Sequence, residues 1–130
     1  MIYLLVGLGG ILGSLLRYLV SFATRDLWNL GFPLGTLFIN LTGAFLLGFI
    51  TSRFVTPKKF DPTILTAFST GVIGSYTTFS TFCLETVQLF DTGAYMKAFF
   101  YIGISLAGGL LFVHLGMQAG NQEDRSVREG

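Results

Sequence analysis

Charged side chains are scarce in this chain. Asp, Glu, Lys and Arg make up only 12% of its 130 residues, about half the share found in an ordinary soluble domain. The formal net charge of +1 gives no sign of a nucleic-acid-binding face, so no nucleic-acid partner is expected. Hydrophobic residues account for 52% of the chain and include 14 phenylalanines. A soluble domain of this length could not bury so much apolar surface, which predicts that the surrounding solvent is lipid.

Residues that carry chemistry are scarce as well. Cys83 is the single cysteine and His114 the single histidine. One cysteine excludes an internal disulfide, and neither residue belongs to a cluster of the kind that binds zinc. The sequence also offers no nucleophile paired with a base. It therefore predicts no enzymatic activity.

Four apolar segments approach or exceed the ~20 residues with which a helix crosses the hydrocarbon. They run from about residue 2 to 22, 34 to 53, 63 to 90 and 98 to 118. The connections between them are short and contain all 3 prolines, which fits turns rather than further domains. We expect an all-α membrane protein with a four-helix transmembrane domain over residues 1–120 and a polar tail at 121–130.

Basic residues divide almost evenly between the two sides of the predicted bundle. Four spans place both termini on one side, together with the basic residues Arg53, Lys58, Lys59, Arg125 and Arg128. The opposite side holds Arg17, Arg25 and Lys97. By the positive-inside rule this distribution gives only a weak preference for one orientation of the chain in the membrane. Two hypotheses follow: insertion in both orientations, or one fixed topology with a weak signal.

The third segment contains the stretch GSYTTFSTF, Gly74 to Phe82, in which hydroxyl side chains interrupt an apolar run. A continuous helix from residue 63 to 90 would be about 42 Å long, whereas the hydrocarbon is only ~30 Å thick. The glycines at 71 and 74 and the hydroxyl cluster predict that the helix breaks mid-membrane. The freed backbone groups must then be buried in protein, face water or bind an ion. The alternative is that Ser and Thr bond to their own helix and only bend it.

Polar side chains recur at helical spacing within the segments. They are Thr36 and Asn40 in the second, which share a face with Gly43, then Thr77, Thr81, Glu85 and Gln88 in the third, and Tyr101 and Ser105 in the fourth. Phe79 and Phe82 lie on a face next to the polar residues of the third segment. The edge of an aromatic ring carries partial positive charge. Amides, hydroxyls and ring edges are weak donors, which suit an anion that must also leave again. Each of these residues could instead serve packing, and Asn40 could form a bond between helices.

Small residues four positions apart, such as Gly103 and Ala107, allow helices to approach closely. Because four spans are few for enclosing a pore, we expect the chain to form an oligomer.

Three motifs resemble the Fluc/CrcB family of small fluoride channels. They are GGILGSLLRY at residues 9–18, GTLFINLTGAFLLG at 35–48 and GSYTTFSTF at 74–82. Ser14 stands where the family usually has alanine. Gly109 and Val113 occupy a stretch of the fourth segment where the family often continues its hydroxyl track, so the outer end of that track differs.

The resemblance implies a passive fluoride channel in the inner membrane of a bacterium, built as an antiparallel homodimer with two pathways at the subunit interface. It implies a structural Na⁺ at the dimer centre, held by backbone carbonyls of Gly74 and Thr77 from both subunits. It assigns the anion pathway to Asn40, Phe79, Ser80, Thr81, Phe82, Tyr101 and Ser105. Arg17 would attract anions at the aqueous vestibule, Glu85 matches an acidic position, and Thr36 is a further polar candidate. The expected partners are fluoride, a second copy of the chain and membrane lipid.

Two other classes of protein compete with this interpretation. A small four-span proton-coupled exporter needs a titratable carboxylate deep in the membrane, and Glu85, near the end of its segment, is the one candidate. A non-transporting assembly subunit could use the small-residue faces alone, but it would not need Asn40, the hydroxyl stripes and a broken helix together.

Overall fold

The computed structural model describes residues 1–26, 31–55 and 60–129, and within these ranges the chain forms helices and no strand. The α-helices are α1 (Ile2–Thr24), α2 (Leu34–Ile50), α3 (Pro62–Thr66), α4 (Gly74–Tyr76), α5 (Phe79–Asp91) and α6 (Tyr95–Glu129). Two π-helical segments extend them: Thr51–Val55 continues α2, and Ala67–Ile73 joins α3 to α4. The fold is therefore all-helical, as expected.

Three stretches of the described chain are long and apolar enough to cross a membrane: Ile2–Thr24, Leu34–Val55 and Tyr95–Gln122. The third predicted segment is not among them, because its helix is interrupted between Tyr76 and Phe79. The predicted break is thus confirmed, and the alternative of a merely bent helix is wrong. Helix α6 continues through the predicted polar tail as far as Glu129, beyond which Gly130 lies outside the described residues.

Local sequence explains where the helices of the broken segment begin. Asp61 precedes α3, its carboxylate accepts the Thr63 N–H at 2.7 Å, and Pro62 opens the helix. This hydrogen bond lowers the pKa of the exposed Asp61 carboxyl. Thr78 precedes α5, and its hydroxyl oxygen accepts the Thr81 N–H at 3.2 Å. Both are N-caps that satisfy an amide the first helical turn leaves unpaired.

Glycines bring the helices into backbone contact. A Cβ atom at Gly13 of α1 would collide with the carbonyl oxygen of Val72 in the π-helical segment. A Cβ atom at Gly116 of α6 would collide with the carbonyl oxygen of Phe45 in α2. Small residues therefore make close helix contacts inside one protomer. Gly103 of the predicted pair has nothing within 4 Å of the position where its Cβ would be.

Apolar side chains cover the outside of the protomer. Gly13 is the one buried residue of α1, and large residues such as Leu19 and Leu110 are mostly exposed. The interior cluster is small and lies between α5 and α6, around Leu89 and Tyr101. A surface of this kind is suited to lipid or to another apolar protein surface rather than to water.

Candidate ion pathway at the helix break

The break consists of two residues with extended backbone. Thr77 has φ −75° and ψ 159°, and Thr78 has φ −147° and ψ 124°. The helix before the break ends at Tyr76. The N–H and the hydroxyl of Thr77, which follows it, both donate to the carbonyl of Ile73 at 3.0 Å. Two extended residues in the middle of a predicted span leave backbone polar groups that need other partners.

Asn40 of α2 supplies those partners to Thr78. The Thr78 N–H donates to Asn40 Oδ1 at 2.9 Å, and Asn40 Nδ2 donates to the Thr78 carbonyl at 3.0 Å. The predicted alternative of an interhelical hydrogen bond by Asn40 is confirmed. A carboxamide nitrogen carries two N–H groups, so one donor remains beyond the bond to Thr78.

These bonds divert the N–H donors that a continuous helix would supply to two carbonyl groups. In a continuous α-helix each N–H bonds to the carbonyl four residues earlier. The Thr78 N–H, which would bond to Gly74, goes to Asn40 instead. The Thr81 N–H, which would bond to Thr77, goes to the Thr78 hydroxyl. The carbonyls of Gly74 and Thr77 have therefore each lost the N–H partner of a regular helix.

One face of α2 holds the broken segment, as the spacing of Thr36, Asn40 and Gly43 predicts. Thr36 donates to Glu85 Oε1 at 2.7 Å, and Asn40 pairs with Thr78. Gly43 lies so close to the Thr77 methyl group that a Cβ atom would collide with it. The shared face is confirmed.

A concavity of about 320 Å³ opens on this side of the protomer. Its lining comes from α2 and from both sides of the break: Asn40, Gly43, Ala44, Leu47, Ser69, Ile73, Gly74, Thr77, Thr78 and Phe79. Phe79 is 77% exposed here although it is a large apolar side chain. The protomer thus presents freed backbone, an amide and an unburied ring on one surface.

A second cavity, also of about 320 Å³, lies near Glu85 and is lined by Ser21, Thr24, Arg25, Gly35, Thr36, Thr81 and Glu85. Both oxygens of the Glu85 carboxylate accept hydrogen bonds, from Thr36 and from the phenol of Tyr101, each at 2.7 Å. The Thr81 hydroxyl lies 3.0 Å from that of Thr78. Hydroxyl groups therefore connect the break to the cavity beside Glu85.

The predicted aromatic pair lies next to this hydroxyl connection. The ring centroids of Phe79 and Phe82 are 5.8 Å apart, and that of Phe82 is 5.0 Å from Tyr101. Tyr101 is fully buried and also meets Phe32 edge-on. The structure brings these predicted residues together, with Tyr101 in the interior of the protomer and Phe79 at its surface.

Of the remaining predicted residues, one contacts the break and the others lie on α1 and α6. The Ser80 hydroxyl is 3.3 Å from that of Thr78. Ser105 is half-buried on α6, one turn after Tyr101. Arg17 is half-buried on α1 and lines neither cavity. His114 bonds to Gln118 on its own helix at 2.9 Å, and Cys83 is an exposed free thiol.

Three residues in or next to the break were not singled out as site residues by their sequence pattern: Thr42, Tyr76 and Thr78. Thr78 caps α5 and pairs with Asn40, and the phenol of Tyr76 lies 3.0 Å from the hydroxyl of Thr42. A threonine before the Phe-Ser-Thr turn is a helix-start signal that could have identified Thr78.

Fold and site together define a class: a small helical membrane protein in which an amide, hydroxyls and aromatic rings surround a broken helix. The chain matches the family described as "CrcB-like protein, Camphor Resistance (CrcB)" over residues 4–117. It belongs to this family, and the resemblance seen in its motifs is confirmed.

Bacterial relatives extend the match over nearly the whole chain. The "Fluoride-specific ion channel FluC 2" of Geobacillus kaustophilus (strain HTA426) is 46% identical over 123 residues, which cover 95% of each chain. The "Fluoride-specific ion channel FluC 1" of Bacillus thuringiensis subsp. konkukian (strain 97-27) is 43% identical over 121 residues, 93% of this chain and 88% of that one. The protein of the same name from Staphylococcus aureus (strain NCTC 8325) is 42% identical over 118 residues, with 91% and 95% covered.

Proposed function

We propose that this chain forms a passive, fluoride-selective ion channel through which a bacterial cell exports fluoride. The observation that carries the proposal is the near full-length similarity to proteins named fluoride-specific ion channels. The local chemistry supports it, because the groups gathered at the break are weak donors without a fixed positive charge. An anion held by such groups can exchange its hydration shell for them and still leave.

The pathway would run along the groups that the structure gathers around α5. Fluoride would exchange water for three kinds of group: the second N–H of the Asn40 amide, the ring edges of Phe79 and Phe82, and the hydroxyls of Ser80 and Thr81. Tyr101 and Ser105 would continue the pathway along α6. Arg17 would raise the anion concentration at the aqueous entrance. Thr36 would act through Glu85, to which it donates.

The working unit would be an antiparallel homodimer. The surface around the break is incomplete in one protomer, since Phe79 is 77% exposed and Gly74 is exposed beside it. A second copy in the opposite orientation would cover this surface and enclose two equivalent pathways. The nearly even distribution of basic residues is compatible with insertion in both orientations.

A sodium ion fits the centre of such a dimer. The carbonyls of Gly74 and Thr77 lack their regular helical partners, and carbonyl oxygens are the ligands that hard cations prefer. Two carbonyls are too few for a complete shell, and a second protomer would double them. When bound, the ion would supply positive charge that draws the carbonyls of both subunits together.

The channel would lie in the cell inner membrane, with lipid against the apolar outer surface of α1 and α6. The test is passive efflux from liposomes that contain the purified protein and are loaded with potassium fluoride or potassium chloride. We expect fluoride efflux without a proton gradient and little chloride efflux. Efflux that requires a proton gradient would favour the exporter, and absence of any ion flux would favour the assembly subunit.

A further inference from the structure

A further hydrogen bond ties the broken segment to α2, on the side of Thr77 opposite to the bonds of Asn40. The phenol oxygen of Tyr76 lies 3.0 Å from Thr42 Oγ1. The same Thr42 oxygen lies 2.7 Å from the carbonyl oxygen of Phe38 and 3.1 Å from that of Ile39. A hydroxyl has one proton, and a carbonyl can only accept. Thr42 therefore donates to its own helix and accepts the proton of Tyr76.

The backbone of Tyr76 is confined as well. It is the last residue of α4, and its N atom lies 3.0 Å from the position where a Cβ of Gly13 would be. Its ring lies 3.6 Å from the corresponding position at Gly43. Tyr76 thus fits between α1 and α2, with its hydroxyl anchored at one end and its main chain at the other.

These contacts flank Thr77 on both sides. Thr42 holds Tyr76 immediately before it, and Asn40 holds Thr78 immediately after it. Gly43 lies against the Thr77 side chain. Three consecutive residues, Tyr76 and the two residues of the break, are therefore located by one helix, which leaves the Thr77 peptide little freedom to rotate.

We propose that Tyr76 and Thr42 are positioning residues that orient the Thr77 carbonyl for the central cation. The inference rests on the proposed function, because it concerns the sodium site of the fluoride channel. It predicts a specific defect when the bond is lost: sodium binds more weakly, while the pathway beyond the break keeps its groups.

The experiment measures fluoride efflux from liposomes as sodium is varied against N-methylglucamine at constant ionic strength. Tyr76→Phe removes only the donor of this bond. Thr42→Val removes its acceptor, together with the donation of the Thr42 hydroxyl to its own helix. Each should raise the sodium concentration for half-maximal flux by about three- to tenfold, as loss of one hydrogen bond implies, with near wild-type flux at saturating sodium. Thr42→Ser, which keeps the hydroxyl, should behave as wild type.

The double variant Tyr76→Phe/Thr42→Val should shift no further than either single variant, because both remove the same bond. Thr66→Val and Tyr3→Phe are matched controls. Among the described residues the Thr66 hydroxyl bonds only to Pro62 of its own helix, and Tyr3 is 88% exposed. Neither control should shift the sodium dependence.

An unchanged sodium dependence in both single variants overturns the inference, as does a loss of flux that saturating sodium does not restore. Wild-type flux that ignores sodium also overturns it but leaves the fluoride channel intact. Absence of fluoride flux in the wild type removes the proposed function itself.

Discussion

Asn40 and Thr78 form a reciprocal pair in which the side-chain carboxamide of Asn40 takes the place of the backbone partners that a continuous helix would give Thr78. The Thr78 N–H and carbonyl bond to the two ends of the Asn40 carboxamide at 2.9 and 3.0 Å. This pairing allows a helix break within a membrane, because an unsatisfied backbone group there costs several kcal/mol. The Asn40 amide is therefore a structural requirement of the break, independently of any contact it makes with fluoride.

Asn40→Asp should test this pair. The carboxylate keeps the acceptor for the Thr78 N–H but places a second acceptor against the Thr78 carbonyl, a loss of about 1–3 kcal/mol. A loss of this size disfavours the intact break about five- to hundredfold, so we expect fluoride flux per folded protein to fall at least about fivefold. Asn121→Asp is the control, because Asn121 Oδ1 only accepts a bond, from Ser52. Near wild-type flux in Asn40→Asp would contradict the role of the amide donor.

Replacement of the two phenylalanines should separate packing from ion contact. Phe79 is 77% exposed, so Phe79→Ile should cost little stability in the protomer. Phe82→Ile loses the ring contact with Tyr101, which is worth about 0.5–1.5 kcal/mol. If ring edges contact fluoride, flux should fall in both variants by far more than stability does.

The readouts for the phenylalanine variants are efflux per folded protein and thermal unfolding in detergent. Phe38→Ile is the matched control, since Phe38 is 54% exposed on α2 and has no ring contact within the described residues. The aromatic mechanism is wrong if Phe79→Ile and Phe82→Ile both conduct as well as Phe38→Ile.

Arg17→Ala should lower single-channel conductance modestly, about two- to threefold at low salt, because the guanidinium raises the local anion concentration. The difference should shrink in 1 M salt, where the Debye length is ~3 Å. Arg25→Ala is the comparison, since Asp26 already offsets that charge at 3.7 Å. Complete loss of conduction in a folded Arg17→Ala protein would assign Arg17 to the pathway itself.

Glu85→Gln should distinguish a channel from a proton-coupled carrier. Both Glu85 oxygens accept bonds, from Thr36 and Tyr101, and a glutamine can keep one of them while its amide donates to the other hydroxyl. Fluoride efflux should remain passive and should not acquire a dependence on a proton gradient. Asp91→Asn, at the exposed end of α5, is the control. Abolished transport in Glu85→Gln alone, with efflux in the wild type driven by protons, would establish the carrier.

Two lysines added to the connection between α2 and α3 should bias the orientation of the chain, because the present distribution of basic residues is nearly even. Lys58 and Lys59, which contribute to that distribution, lie outside the described residues. An antiparallel dimer should then lose activity and regain it when an oppositely biased copy is co-expressed. Accessibility of one cysteine introduced into a Cys83→Ser background, which removes the exposed native thiol, reports the orientation. Full activity from one fixed orientation would refute dual topology.

Much of the site could be read from the sequence because its signals are local. Helical spacing predicted that Thr36, Asn40 and Gly43 share a face, and the density of hydroxyls and glycines from Gly71 onward predicted the break. Both features depend on residues within one or two turns of each other. The apolar length of the segments likewise fixed the class of fold.

The contacts between helices could not be read in this way. Thr42 lies two positions from Asn40, about 200° around a regular helix, and it meets Tyr76 only because the broken segment crosses α2 at that level. The partnership of Tyr101 with Glu85 requires that α5 and α6 fold back on each other at Gly93, whose φ of 75° allows the turn. The π-helical segment Ala67–Ile73 has no simple periodic signature.

The break also divides the third segment between different neighbours. The part before it lies on α1, at the contact between Gly13 and Val72, whereas α5 packs on α6 through Phe82 and Tyr101. Helix α2 bonds to both parts, through Thr42 to one and Asn40 to the other. Any sliding of one half past the other would break these bonds at once, so α2 holds the two halves of the interrupted helix in one fixed register.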